Sequence, residues 1–250
     1  MQRSKPIPPK DRDHRYRNRV HSKDLVSYRV LVKETDLLVS ASADLSKQTK
    51  DRVHHYRRQL EDYIRSRSDF ISTLLPYPED AFAPEIIRDM ISATRAFGVG
   101  PMAAVAGAIA QFVGKDLLRY SEEVIVENGG DIFVRTKSPI TVSIFAGNSP
   151  LSDKLGLILA AEEMPTGVCT SSGTVGHSLS LGTADAVCVV AQSASFADAA
   201  ATALGNRITN QSNLTGEIES MRERKDVKGG VVIIGKTMAT WGEIELTDLN

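Results

Sequence analysis

Phe196-Ala197-Asp198-Ala199-Ala200-Ala201-Thr202-Ala203-Leu204 reads as the heart of a helix whose polar side chains, Asp198 and Thr202, stand four apart. Residues four apart share a helix face, so a carboxylate and a hydroxyl lie side by side. The alanines around them let a ligand come close to the backbone. Mg²⁺ is typically held by one or two side-chain oxygens, with substrate phosphates and water completing six positions, and this pair suits that chemistry. Capping competes with it, because Ser195-x-x-Asp198 has capping-box spacing and Asp198 would answer the helix dipole. The helix is expected from Phe196 to Ile208.

Three other stretches carry chemistry. Thr170-Ser171-Ser172-Gly173-Thr174-Val175-Gly176-His177-Ser178 gathers hydroxyls, glycines and one imidazole within nine residues. Such a segment can wrap a phosphate, and His177 can move a proton near neutral pH. A solvated turn is the plainer alternative, and a Ser/His hydrolase lacks its GxSxG elbow. Gly98-Val99-Gly100-Pro101-Met102-Ala103 matches GxGxxA but follows a helix rather than a strand, which excludes a Rossmann turn. A Gly-rich turn opening a helix is an anion seat, or else a hinge that needs small residues. Asn128-Gly129-Gly130-Asp131 has hairpin-turn chemistry between two strands.

Outward from these motifs, strands are expected at 27–34, 36–42, 124–127, 132–135, 141–145, 187–191, 231–235 and 243–246. Helices are expected at 46–67, from Pro84-Glu85 to a break at 97–100, and at 102–120. Glu217 to Lys225 reads as charged and exposed, and His54 and His55 as solvated helix residues. Strands joined by hairpins more than by crossovers favour an α+β fold with mainly antiparallel sheet. Met1 to Lys23 holds eight Lys/Arg against two Asp and is read as an irregular arm, solvated or strapping a neighbouring subunit of a homo-oligomer. Arg15, Arg17 or Arg19 could instead meet a ligand phosphate. The expected organisation is that arm over 1–25 and a single domain over 26–250. Within the domain, 26–95 forms an N-terminal part, 96–210 a core with the site motifs, and 211–250 the closing strands.

A 42% apolar and 24% charged composition supports one real core in 250 residues. The net charge of −1 argues against nucleic-acid or anionic-membrane binding. The basic leader lacks an apolar run and no membrane span is legible, so the cytoplasm is expected. Cys169 and Cys188 read as buried reduced thiols.

Taken in chain order, the four motifs resemble the ApbE family of Mg²⁺-dependent FAD:protein FMN transferases, over roughly Arg95 to Asn206. That family has Gly-Gly-x-Ala-Lys-Gly opening a helix, then Asn-x-Gly-Gly-Asp, then a Ser-Gly and His segment, then Ala-Asp-Ala-x-Ala-Thr-Ala. The resemblance implies that Asp198 and Thr202 bind Mg²⁺, with a backbone carbonyl near Ala103. It implies that Gly100, Met102, Asn128, Gly129, Gly130, Asp131, Ser171, Ser172, Gly173 and Thr174 line a pocket for FAD or FMN, and that His177 is catalytic. The implied activity is FMN transfer or FAD hydrolysis; the alternatives are a flavin- or nucleotide-binding protein without turnover and an assembly subunit. Departures are the missing Ile-Asp-Pro-x-Thr-Gly, where Ser178 to Thr183 stands, and the missing first-turn lysine, N-terminal Ser-Glu motif and lipoprotein signal. By that resemblance the chain is expected to be a divergent cytosolic branch that keeps the metal helix.

Overall fold

The computed structural model describes residues 25–173 and 182–249. The expectations for the arm with Arg15, Arg17 and Arg19, and for Thr174 and His177, lie outside the described residues.

The described residues open with β1 (Val26–Val32) and β2 (Thr35–Ala41), then α1 (Ser46–Ser66), α2 (Glu85–Phe97), a 3₁₀ turn (Pro101–Ala104) and α3 (Val105–Leu117). There follow β3 (Val124–Asn128), β4 (Asp131–Arg135), β5 (Ile140–Ser143), β6 (Leu155–Leu159), β7 (Thr166–Ser171) and β8 (Ala186–Ala191). The chain ends with α4 (Ala194–Arg207), α5 (Leu214–Arg222), β9 (Val227–Ile234), β10 (Thr237–Gly242) and β11 (Glu245–Asp248). Among the described residues, eight strands form one sheet in the order β1-β2-β3-β4-β7-β8-β9-β10, and β11-β6-β5 form a second. Neighbouring strands pair antiparallel throughout, as an α+β chain of hairpins predicts.

Three layers result, and β8 shows why. Its residues are buried on both faces: Val187, Val189 and Ala191 join the core under the helices, while Ala186, Cys188 and Val190 join the core under the small sheet. Strand side chains alternate between faces, so an unbroken apolar run is what a sandwiched central strand requires. Each fully buried valine contributes on the order of 1.5–3 kcal/mol relative to exposure. α1 buries Thr49, Val53, Leu60 and Tyr63 on one side, and its His54 and His55 are exposed, as their positions predict.

Three strands escaped the sequence reading: β6, β7 and β10. The stretch expected to be exposed, Glu217 to Lys225, lies largely in α5, which buries Leu214, Ile218 and Met221 at i, i+4 and i+7. The long helix expected at 102–120 starts instead as a 3₁₀ turn and ends at Leu117.

Candidate functional site

Asp198 lies in the second turn of α4 and is buried, 9% exposed. Its Oδ2 accepts a hydrogen bond of 2.9 Å from the Gly107 N–H in the first turn of α3, and the Ala106 N–H also donates to it. The two helices approach closely here. A Cβ on Gly107 would stand 2.3 Å from the Ala194 carbonyl oxygen and 2.9 Å from Asp198 Cβ. Asp198 does not cap its own helix: Ser193 occupies that position and accepts from the Phe196 N–H, while Ser195 Oγ donates to Asp89. The capping-box alternative is thereby removed.

The hairpin between β3 and β4 reaches the same place. Gly129 and Gly130 have φ of 70° and 113°, which a two-residue type I′ turn demands and glycine allows. Asn128 and Asp131 form its closing pair, and Asn128 Nδ2 donates to the Ala106 carbonyl at 3.0 Å. Asp131 faces the end of β7, where the Cys169 thiol and Thr170 N–H donate to its carboxyl.

Electrostatics tie these groups together. Burial pushes the Asp198 carboxyl well above the usual carboxylate range, the nearby Asp131 adds to this, and the Gly107 and Ala106 N–H groups oppose it. Burial likewise raises Asp131, with the Cys169 hydrogen bond opposing and Glu127 reinforcing. The Cys169 thiol is pushed up by burial and then by both carboxylates, so it stays protonated. Its single proton has two acceptors, Asp131 and the Ala194 carbonyl at 3.2 Å. A protonated Asp131 resolves that competition, because it can donate to sulfur and leave the S–H to Ala194.

Thr202 is half-buried one turn beyond Asp198 on the same face of α4, flanked by buried alanines. Ser171 and Ser172 are half-buried at the end of β7, and Gly173 is exposed with its N–H bonded to the Ala184 carbonyl at 2.9 Å. A Cβ on Gly173 would meet the Gly182 carbonyl at 2.2 Å, and one on Gly182 would meet the Gly205 carbonyl at 1.8 Å. The two ends of the His177 segment are therefore stitched together against the last turn of α4.

The Gly100 turn serves packing. A Cβ on Gly100 would lie 2.0 Å from the Thr73 carbonyl, so this glycine permits close approach of the 73–74 backbone. Met102 packs half-buried on the helical core, and the Ala103 N–H bonds to the Gly100 carbonyl at 3.0 Å. The backbone that meets Asp198 is that of Ala106 and Gly107, one turn further on. Sequence reasoning passed over this pair, although Gly107 interrupting an alanine-rich helix signals a close crossing. Among the described residues, no three His, Cys, Asp or Glu side chains converge as a metal cage. A cation here would depend on hydroxyl, carbonyl, water and phosphate oxygens, as Mg²⁺ sites commonly do.

A protein-family model described as AbpE bacteria matches residues 17–234. A UPF0280 protein of Methanocella arvoryzae is 42% identical over 214 residues, spanning 85% of this chain and 87% of the relative. That of Methanococcus vannielii is 45% identical over 187 residues, spanning 73% and 76%. Among solved structures, the apo flavinyl transferase ApbE of Pseudomonas stutzeri matches with a TM-score of 0.57 at 14% identity, over 87% of this chain and 93% of that one. A mutant of the flavin transferase ApbE of Vibrio cholerae matches at 0.55 and 13% identity, over 87% and 96%. At such identities these structures show a shared fold.

Proposed function

The chain belongs to the AbpE bacteria family, as a divergent ApbE-like branch with the UPF0280 proteins, and from that membership we propose that it binds Mg²⁺ with a flavin nucleotide and acts on a phosphoanhydride. The reaction is FMN transfer or hydrolysis of FAD in the cytoplasm. The observation that carries this reading is the buried Asp198 carboxylate, set beside Asp131 and against the start of α3.

The residues fit a cation. A carboxyl whose proton affinity is raised by burial and by a neighbouring carboxyl, as at Asp198, gains most from a positive charge beside it. The neighbouring thiol stays protonated and so offers no competing soft ligand. Asp198 and Thr202 would hold Mg²⁺, with a backbone carbonyl from the start of α3, where Ala106 rather than Ala103 adjoins Asp198. Bound Mg²⁺ neutralises phosphate charge and polarises the anhydride. Asn128 fixes the hairpin to α3, so that the glycine turn and Asp131 border the same space. Ser171, Ser172, Gly173 and Thr174 would line the nucleotide, and His177 would move the proton.

Incubation with FAD and Mg²⁺ should release FMN together with AMP, or release AMP as FMN is transferred to a protein acceptor, and EDTA or Asp198→Asn should abolish it. Neither product nor ligand binding in wild type would overturn the proposal. A second reading, a flavin-binding protein without turnover, draws on the altered Ser178 to Thr183 segment. Ligand binding with no product in that experiment selects it.

A further inference from the structure

Gln111 is 2% exposed in the middle of α3, a helix otherwise buried through apolar and glycine residues. Its Oε1 accepts from the Ala194 N–H at 2.8 Å, taking up the first amide of α4, which has no partner within its own helix. Its Nε2 then faces Ser195 Oγ at 3.4 Å and Asp89 Oδ2 at 3.5 Å, while Ser195 Oγ donates to the same Asp89 oxygen. A carboxylate on α2, an amide on α3 and a hydroxyl on α4 thus form one buried polar triad.

Four residues before Gln111 stands Gly107, whose N–H holds Asp198, and Asp198 lies four residues after Ala194. The helices therefore exchange two bonds one turn apart, in opposite senses: a side chain of α3 on the backbone of α4, and a side chain of α4 on the backbone of α3. The pairing of 107 with 198 and 111 with 194 makes the helices locally antiparallel. Two such points fix both slide and rotation. If α4 slipped by a turn, the Ala194 amide and the Asp198 carboxylate would lose their partners together.

We propose that Gln111, supported by Asp89 and Ser195, is a positioning residue for Asp198, locking α4 so that this carboxylate sits at the start of α3. This rests on the reading that Asp198 holds the metal, but the lock itself exists without ligand.

The experiment compares full-length wild type, Gln111→Met and a Val113→Ala control, which disturbs the same helix without touching these bonds. The Gln111→Glu, Asp89→Asn double variant exchanges the carboxylate and the amide. Amide hydrogen exchange is read by NMR in metal-free buffer, and Mn²⁺ binding by electron paramagnetic resonance. Gln111→Met should lose protection at Gly107 as well as at Ala194, and Mn²⁺ affinity should fall at least tenfold. Val113→Ala should retain both, and the double variant should recover most of the Gly107 protection. Gly107 protection in Gln111→Met equal to that in Val113→Ala would overturn the proposal, whatever happens at Ala194. If wild type binds no Mn²⁺, the metal reading falls, and the Gly107 amide still decides the positioning role.

Discussion

Asp131 and Asp198 illustrate how burial sets the behaviour of a single residue. Each carboxyl binds its proton more tightly folded than unfolded, because burial penalises ionisation, reinforced at Asp198 by Asp131 and at Asp131 by Glu127. Folding then takes up protons. The resulting stability is fully present below the unfolded carboxylate pKa of about 4 and is lost as pH rises through the raised folded values. Asp131→Asn removes one member while keeping an oxygen that can accept from the Thr170 N–H and the Cys169 thiol. Its melting temperature in metal-free buffer should gain on that of wild type steadily from pH 5 to pH 8. Parallel curves would mean that folding does not raise the proton affinity of the Asp131 carboxyl. The sequence showed Asp131 and Asp198 as candidates, since an Asn-Gly-Gly-Asp turn and an Asp among alanines are local signals. It could not show them as neighbours, because that contact joins a hairpin to a helix 67 residues later.

At the scale of elements, what was legible follows from periodicity and local turn chemistry. α1 and α2 repeat apolar residues at helical spacing, and the β3–β4 hairpin has a glycine pair that only a tight turn needs. β7 was not legible: Thr-Gly-Val-Cys-Thr-Ser has a glycine and three hydroxyls, and reads as turn or strand alike. Its glycine belongs there because α4 crosses at that point, with Ala194 Cα only 2.3 Å from where a Gly167 Cβ would be. α5 was hidden because its three charged residues, Glu217, Glu219 and Arg222, mask the three that pack. That Asp198 meets the Ala106 and Gly107 amides was hidden for the same reason, since local spacing cannot tell which turn of an alanine-rich helix a distant carboxylate meets. Gly107 is the most exacting position of that crossing. Alanine favours a helix over glycine by about 0.8–1 kcal/mol. Against this, its methyl must displace a backbone carbonyl, at about 1–3 kcal/mol for an overpacked site. The weakened Asp198 bond costs about 1 kcal/mol more. Gly107→Ala should therefore lower the stability measured by urea unfolding by roughly 1–3 kcal/mol. A neutral or stabilising effect would show that α3 and α4 can separate freely, and the close crossing would have no energetic meaning.

For the whole molecule, the site lies where separate parts of the three-layer fold converge: the hairpin end of the large sheet, the end of β7, and the start of α3 crossing α4. No single helix among the described residues is long and apolar enough to cross a membrane. The α+β class was legible from hairpin connections and the family resemblance, whereas the sandwiching of β8 between two cores is a global property that only assembly reveals. A ligand bound at such a junction joins elements from across the chain, so its binding energy should appear as global stability. A ligand at one hundred times its Kd that binds only the folded chain adds about 2.7 kcal/mol. For a chain of this size each 1 kcal/mol moves Tm by about 2–4 °C, so Mg²⁺ with FAD should raise it by about 5–10 °C. Mg²⁺ alone should give a smaller shift, since the phosphate oxygens that complete its coordination would be absent. Asp198→Asn should lose most of the combined shift while keeping a cooperative melt in EDTA, because an amide oxygen can still accept from the Gly107 N–H. Equal shifts in wild type and variant would place the nucleotide elsewhere on the molecule and leave Asp198 with only its role between α3 and α4. A shift in wild type that survives EDTA would show that the flavin binds without the cation. The carboxyl pair would then be a feature of the fold rather than the seat of a metal.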